Sequence, residues 1–356
     1  MKRKYSALSL FSGAGGMDVG FVKAGFNVLL ANDIDKSACE TYSLNHKNPI
    51  LHGDVRSHYE RIVAHSDIDL VFGGPPCQGF SVAGKMDPND ERSELLWDFF
   101  DIVRETSPKV FVCENVKALA VNRRWEKIRE RLFQVTNEME YETLLIVLDA
   151  SDFGVPQKRE RMFLIGVDKT LNLLTEELSK IIIESIESQK CSPPKIREIV
   201  SRLGPAGSTN NSRVCQAIIT FAKNPILRKS PYAGMLFNGA GRPINTDGCA
   251  LTLPASMGGN KTPIIDEEEI FKSERSFVES YHAHLLSGGH PHTGKAPARL
   301  RRITIDEALA IQTFPRDYKL AGTNSAKYRQ IGNAVPCNLA EVVANSVLSL
   351  LSQANS

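Results

Sequence analysis

Gly73-Gly74-Pro75-Pro76-Cys77-Gln78-Gly79-Phe80-Ser81 is the stretch on which the fold of this chain turns. It follows the apolar run Ile68-Asp69-Leu70-Val71-Phe72, which has the length and composition of a buried strand, so Cys77 sits where a strand hands over to a loop. Open α/β sheets put their chemistry at that end of a strand. Two consecutive prolines fix the backbone ahead of the thiol, while Gly73, Gly74 and Gly79 permit turns and close approach by a substrate. Burial among apolar neighbours is the commoner fate of a cysteine. Pro and Gly on both sides place this one in a loop instead.

The same layout recurs on the N-terminal side. Tyr5 to Phe11 reads as a first strand, broken by Phe11-Ser12-Gly13-Ala14-Gly15-Gly16 and followed by an amphipathic stretch through Ala24. Strand, glycine turn and helix together aim backbone N–H groups at a nucleotide-like ligand. The next strand, Asn27 to Ala31, ends in Asn32-Asp33-Ile34-Asp35, which puts a carboxylate roughly 20 residues beyond the glycines, within reach of a ribose diol. Gly13, Gly15 and Gly16 crowd too closely for the dinucleotide fingerprint, which favours S-adenosylmethionine over NAD. A third unit ends in His52-Gly53-Asp54-Val55. Asp54 there has two readings, acceptor for an adenine amino group with Val55 against the ring, or cap of the following helix.

Length and composition set the limits. At 356 residues the chain has room for one large domain and a smaller one. It has no run of about 18 apolar residues, so no membrane span is expected. The seven cysteines lack CxxC spacing, which argues against a disulfide scaffold or zinc knuckle and for a reducing, cytoplasmic setting. No metal site is expected. The formal net charge is only +2, yet from Cys191 to Ile265 there are nine basic residues against two acidic ones. Such a local excess is what phosphate contacts require, although a solvated basic face looks the same.

Beyond Cys77, Val82 to Arg92 is polar and reads as a lid loop. Ser93 to Thr106 is helical in pattern, and Lys109 to Cys113 is a strand ending in Glu114-Asn115-Val116. Helix Asn122 to Glu138 and strand Tyr141 to Asp149 lead to Gln157-Lys158-Arg159-Glu160-Arg161, where two arginines at period two face the same way on extended backbone. Residues 1–185 are read as the catalytic and cofactor-binding domain, 186–299 as a smaller, irregular, β-rich one, and 300–356 as a segment returning to the first. In the smaller domain the acidic run Asp266 to Glu269 reads as a solvated turn. His282, His284, His290 and His292 read as a solvated or phosphate-facing loop. Thr304 and Glu307 form a capping box that opens a helix.

Six blocks stand in one order, FSGAGG, GGPPCQGFS, ENV, QKRER, RRITIDEALAIQTFP and QIGNAVP, spanning Phe11 to Pro336. In this the chain resembles the cytosine-C5 DNA methyltransferase family of bacterial modification type. The resemblance implies an α/β fold, a Rossmann-like S-adenosylmethionine-dependent methyltransferase sheet with helices on both faces, and a target recognition domain in the basic region. It implies Phe11, Gly13, Gly15, Gly16, Asp33, Ile34, Asp54, Val55, Pro75 and Asn333 around S-adenosyl-L-methionine. Ile34 is a departure, since some relatives carry an aromatic residue there.

The chemistry explains these residue types. Cytosine C5 becomes nucleophilic only after attack at C6, a task for the Cys77 thiolate. Glu114, with a raised pKa, would supply a proton at N3 and Arg161 a donor to O2, with Arg159 positioning a phosphate or loop. The base must leave the duplex first. Double-stranded DNA is the implied partner, with contacts expected from Gln78, Ser81, Lys85, Arg92, Arg228, Arg242 and Thr252. A monomer is expected, with a restriction endonuclease acting on the same site without touching it. An RNA-directed relative would share the blocks, but the cysteine-phenylalanine-threonine signature of that branch is missing. A non-catalytic DNA-binding regulator would be expected to have lost Cys77 or the glycines.

Overall fold

Strands arise here where β-branched and aromatic residues run between glycine or polar turns, and helices where the apolar period lengthens. In chain order the elements are β1 (Ser6–Leu10), α1 (Gly16–Ala24), β2 (Asn27–Asp33), α2 (Lys36–Asn45), β3 (Ile50–His52), α3 (Tyr59–Val63), β4 (Leu70–Gly73), α4 (Glu94–Thr106), β5 (Val110–Val116), α5 (Lys117–Val121), α6 (Glu126–Glu138), β6 (Tyr141–Asp149), β7 (Gln157–Lys158), β8 (Glu160–Asp168) and α7 (Thr175–Glu187). There follow α8 (Ile196–Leu203), β9 (Phe221–Ile226), β10 (Met235–Phe237), β11 (Ala250–Leu251), β12 (Ile264–Asp266), α9 (Glu267–Phe271), α10 (Phe277–Leu286), β13 (Leu300–Arg302), α11 (Ile305–Ile311), α12 (Asn324–Asn333) and α13 (Cys337–Gln353). The computed structural model describes residues 4–76 and 94–353. Cys77, Gln78, Ser81, Lys85, Arg92 and the expected lid Val82 to Arg92 lie outside the described residues.

The chain divides into two compact units. The first comprises Met1–Phe153, Glu160–Cys191 and Val335–Ser356. Among the described residues its sheet has seven strands in the order β3-β2-β1-β4-β5-β8-β6, the first five parallel and β8 antiparallel to both its neighbours. Alternation along β4 shows how the sheet is covered on both faces. Val71 joins a core cluster with Phe99 and Phe100 of α4, Phe111 of β5, and Trp125 and Leu132 from the α6 region. Phe72, its neighbour, turns to the other face and stacks on Phe21 of α1 at 4.1 Å. Behind α1 lies α13, whose Leu339, Val343, Val347 and Leu350 are fully buried. The helical stretch Asn324–Gln353 is long and apolar enough to cross a membrane, but 72% of that window is buried inside the protein, as in a core helix.

The second unit comprises Gly154–Arg159 and Ser192–Ala334. Among the described residues its strands form two-stranded pieces, β9 with β10, β11 with β7, and β12 with β13. A small cluster of Ile219, Leu236, Phe237, Ile264, Val278, Tyr281, Leu285 and Leu300 forms its apolar centre. The unit boundaries differ from those expected at 185/186 and 299/300. Cys191 stays with the sheet unit because its amide bonds the Asp152 carbonyl at 2.8 Å. Helices α11 and α12 belong to the second unit, and the chain returns to the first only at Val335.

Two other expectations are corrected. The acidic run is not a solvated turn: Asp266 is 2% exposed, caps α9 by accepting from the Glu269 amide, and pairs with Arg299 at 2.8 Å. His282 is not on a loop but buried on α10, its Nε2 against the Arg228 carbonyl at 2.8 Å. The Thr304 capping box, in contrast, forms as expected, with Glu307 bonding back to the Thr304 amide.

One buried acid has a cost that depends on pH. Asp18, on α1, is fully buried; its Oδ1 accepts from the Tyr42 hydroxyl at 2.7 Å, and among the described residues its Oδ2 makes no hydrogen bond of normal geometry. Burial pushes its carboxyl up from 3.8 to about 6. The folded chain therefore holds this proton more tightly than the unfolded chain, so the stabilising contribution is complete below about pH 4 and is lost as pH rises through about 6. Asp18→Asn, which keeps an acceptor for Tyr42, is expected to be more stable than the parent at about pH 8, by up to about 3 kcal/mol. Thermal melts at about pH 4 and pH 8 check this, since the difference should shrink towards zero or change sign at the lower value.

Candidate active site

The site begins at the place where the winding of the sheet reverses. From β1 the chain moves outward through β2 to β3, then returns to lay β4 on the other side of β1. Loops leaving the C-terminal ends of two such strands part and leave a crevice. Leu10 and Gly73 are paired in register at that end. A Cβ on residue 73 would lie 2.3 Å from the Leu10 carbonyl oxygen, so only glycine lets the strands stay paired up to the crevice.

On the β1 side the glycine turn takes the backbone that its residues permit. Phe11, Gly13 and Gly15 all have positive φ, at 54°, 54° and 81°, and Gly15 leads into α1 at Gly16. A Cβ at Gly13 would meet no heavy atom within 4 Å, so the turn borders open space. The turn is braced from β2. Asp33 Oδ2 accepts from the Gly13 amide and its Oδ1 from the Asp35 amide, both at 2.7 Å. Burial raises the Asp33 carboxyl above its ordinary value, opposed by these two bonds. Beside it Ile34 stands 67% exposed. Asp54 performs the capping role, accepting from the Arg56 amide at 2.9 Å. Val55 corrects an expectation, because its side chain is 2% exposed within the core cluster rather than free to lie on a ring.

On the β4 side Gly74-Pro75-Pro76 leads towards Cys77, and Asn115 Nδ2 holds the Pro75 carbonyl at 3.2 Å. Glu114 and Arg161 come together on neighbouring strands. Val116 is opposite Arg161 and Glu114 opposite Phe163, so Glu114 and Arg161 are diagonal neighbours on one face. Arg161 Nε meets Glu114 Oε1 at 2.9 Å, with side chains 16% and 12% exposed. A Cβ at Gly74 would sit 2.8 Å from Glu114 Oε2, so glycine at 74 leaves room for that carboxylate.

Arg159, Thr252, Asn333, Arg228 and Arg242 all lie in the second unit. Arg159 is only 2% exposed, and its Nη1 and Nη2 are spent on the Leu253 and Gly332 carbonyls. Of the two roles expected for Arg159, a phosphate or a loop, this geometry favours the loop, for a guanidinium so buried holds backbone carbonyls. Thr252 is exposed, its hydroxyl on the Lys158 carbonyl at 2.8 Å, and Asn333 is exposed at the end of α12. Arg242 and Thr252 line one cleft of about 200 Å³ with Leu251, Ile244, Pro254 and Lys261. Sequence reasoning passed over Lys261 as one lysine among nine basic residues. It also passed over Gln157 and Gln312, although both stand inside quoted blocks.

The model of the C-5 cytosine-specific DNA methylase family matches residues 5–349. The chain is 32% identical over 350 residues to the type II methyltransferase M.FnuDI of Fusobacterium nucleatum, covering 97% of this chain and 94% of that one. It is 31% identical over 357 residues to the type II methyltransferase M.NgoPII of Neisseria gonorrhoeae, covering 97% and 95%. The fold matches the solved structure of the Entamoeba histolytica methyltransferase EhMeth with a TM-score of 0.67 at 17% identity, over 98% of this chain and 99% of that one. A match from β1 into α13, over a sheet whose reversal point gathers the glycine turn and the Glu114–Arg161 pair, means that the chain belongs to the C-5 cytosine-specific DNA methylase family and is a DNA methyltransferase.

Proposed function

We propose that this enzyme turns a cytosine out of a specific duplex DNA site, attacks its C6 with Cys77 and directs a methyl group to C5, as the modification half of a restriction-modification system. The observation that supports this reading most is the Glu114–Arg161 pair at the strand ends. Cytosine carries N3 and O2 side by side. A carboxyl beside a guanidinium offers a partner for each, the carboxyl at N3 and the guanidinium at O2. As the Cys77 sulfur bonds to C6, the ring's electron pair moves towards N3, where Glu114 shares a proton, and C5 becomes enamine-like. Once C5 has taken the methyl group, a water removes the proton it still carries, and that electron pair re-forms the C5–C6 double bond as the Cys77 thiolate leaves C6.

The residues at the glycine turn fit S-adenosyl-L-methionine, the methyl donor of such enzymes. The space beside Gly13, the carboxylate of Asp33 and the exposed Ile34 would hold its amino acid, ribose and adenine parts. When bound, it supplies a methyl group made electrophilic by its sulfonium. Extruding the base costs a few kcal/mol, and Gln78 or Ser81 fills the vacancy. Arg228, Arg242, Lys261 and Thr252 are the recognition-unit contacts to DNA. The enzyme acts as a monomer, and its endonuclease shares the site without direct contact.

Cys77→Ser is expected to lose turnover while retaining cofactor binding, and the parent enzyme to form a denaturation-resistant adduct on DNA with 5-fluorocytosine at the target. Full activity in the variant, or no adduct with active parent enzyme, overturns the mechanism. Glu114→Gln is expected to lower kcat by about 100-fold or more at unchanged cofactor affinity, measured with labelled methyl donor. Arg242→Ala or Lys261→Ala is expected to weaken DNA binding. If each meets a phosphate, the slope of log K against log salt falls by about 0.9; if it reads a base, the slope stays and sequence preference relaxes.

A further inference from the structure

Two buried amides of the second unit bond each other, and with a buried guanidinium they hold two backbone segments. Gln157 Oε1 accepts from the Leu253 amide at 2.7 Å, and Gln157 Nε2 donates to Gln312 Oε1 at 2.8 Å. Gln312 Nε2 donates in turn to the Ile331 carbonyl at 2.6 Å and the Ala334 carbonyl at 3.2 Å. Arg159 bridges the same two segments, from Nη1 to the Leu253 carbonyl at 3.3 Å and from Nη2 to the Gly332 carbonyl at 2.9 Å. Gln157 and Gln312 are both 0% exposed.

The segments so held are those that carry Thr252 and Asn333. Leu253, directly after Thr252, is gripped at both its amide and its carbonyl. Asn333 lies between two gripped carbonyls, those of Gly332 and Ala334. Thr252 and Asn333 themselves are exposed, so each is a solvent-facing side chain on backbone fixed from beneath. The two backbones also touch directly, since a Cβ on Gly332 would lie 2.5 Å from the Pro254 carbonyl oxygen and 2.6 Å from Ala255 Cα. Immediately after Gln312, the β-branched Thr313 is held at φ 59°, a conformation such residues rarely adopt.

We infer that the Gln157–Gln312 amide pair, with Arg159, is a positioning device that sets the DNA contact of Thr252 and the cofactor contact of Asn333 in one fixed relation. Gln312 is a positioning residue for both ligands. The inference rests on the proposed DNA contact of Thr252 and on the cofactor contact that the family resemblance implies for Asn333. Chemistry selects the amide, because one primary amide accepts from Gln157 and donates to two carbonyls at the same time. Neither a carboxylate nor a thioether does both, and in a dry interior each deserted carbonyl is costly.

The test uses the full-length enzyme, duplex DNA carrying its methylation site, and S-adenosyl-L-homocysteine as the cofactor probe. Thr252→Val is expected to raise the KM for DNA alone, and Asn333→Ala the cofactor-probe Kd alone. Gln312→Met is expected to raise both by about tenfold or more, with kcat at saturation within about threefold of the parent. Gln312→Glu keeps the acceptor for Gln157 but, ionised, offers nothing to Ile331 and Ala334. Its probe Kd is expected to rise at about pH 8 and recover as pH falls, because a protonated carboxyl donates again. That recovery, read on enzyme shown by circular dichroism to be folded at both values, is a signature general destabilisation does not produce, and it stands if Gln312→Met fails to fold. Both constants within about twofold of the parent in the Gln312 variants, while the Thr252 and Asn333 variants show their single-ligand losses, overturn the positioning role alone. Absence of those single-ligand losses overturns the roles of Thr252 and Asn333, and the inference with them.

Discussion

The structure depends on how closely β1 and β4 lie together at their C-terminal ends. Gly73 has no side chain to push against the Leu10 carbonyl oxygen, and so the two strands remain paired to the last residue before their loops diverge. Everything chemical in the sheet unit is measured from that point. The glycine turn leaves Leu10 on one side, the Gly74-Pro75-Pro76 segment leaves Gly73 on the other, and β5 brings Glu114 in next to β4. A larger residue at 73 would separate the strands and displace both loops, without altering a single residue proposed to touch cofactor or base.

Much of the sheet unit is legible in the sequence because its elements are local. Strand Tyr141 to Asp149 and helices such as Asn122 to Glu138 are found within a residue or two at their ends, apart from a short 3-10 turn before α6. These segments bury continuous apolar stripes against a large core, so periodicity reports them directly. What the sequence hides is set by partners far along the chain. The period-two spacing of Arg159 and Arg161 suggests twin ligands for one substrate, yet one pairs with Glu114 and the other is sealed onto backbone carbonyls. Nothing in five consecutive letters separates those fates.

The second unit is harder to read for a related reason. Its apolar cluster is small, and buried polar contacts take over much of the ordering. Arg301 reaches Glu307 with two nitrogens, at 2.9 and 2.7 Å, while Arg299 serves Asp266, Glu268 and Glu274 together. Such arrangements demand exact partners more than they add stability, since taking ions out of water offsets much of their attraction. Acidic and basic letters that look like solvated surface are here internal fastenings, which is why Asp266 to Glu269 reads as a turn where the structure caps and forms α9. The capping box at Thr304 was visible because both its members are local.

The short strand Gln157–Lys158 has a consequence for any attempt to exchange the second unit between relatives. Although it is separated from Ser192–Ala334 by a stretch of sheet unit, its hydrogen-bond partners lie at Ala250 to Leu253 and at Gln312. A chimaera that swaps only the contiguous stretch would set a foreign scaffold on a resident peg. The natural cassette is therefore discontinuous, and a graft must carry residues 154–159 along with the main insert to arrive with its own foundations.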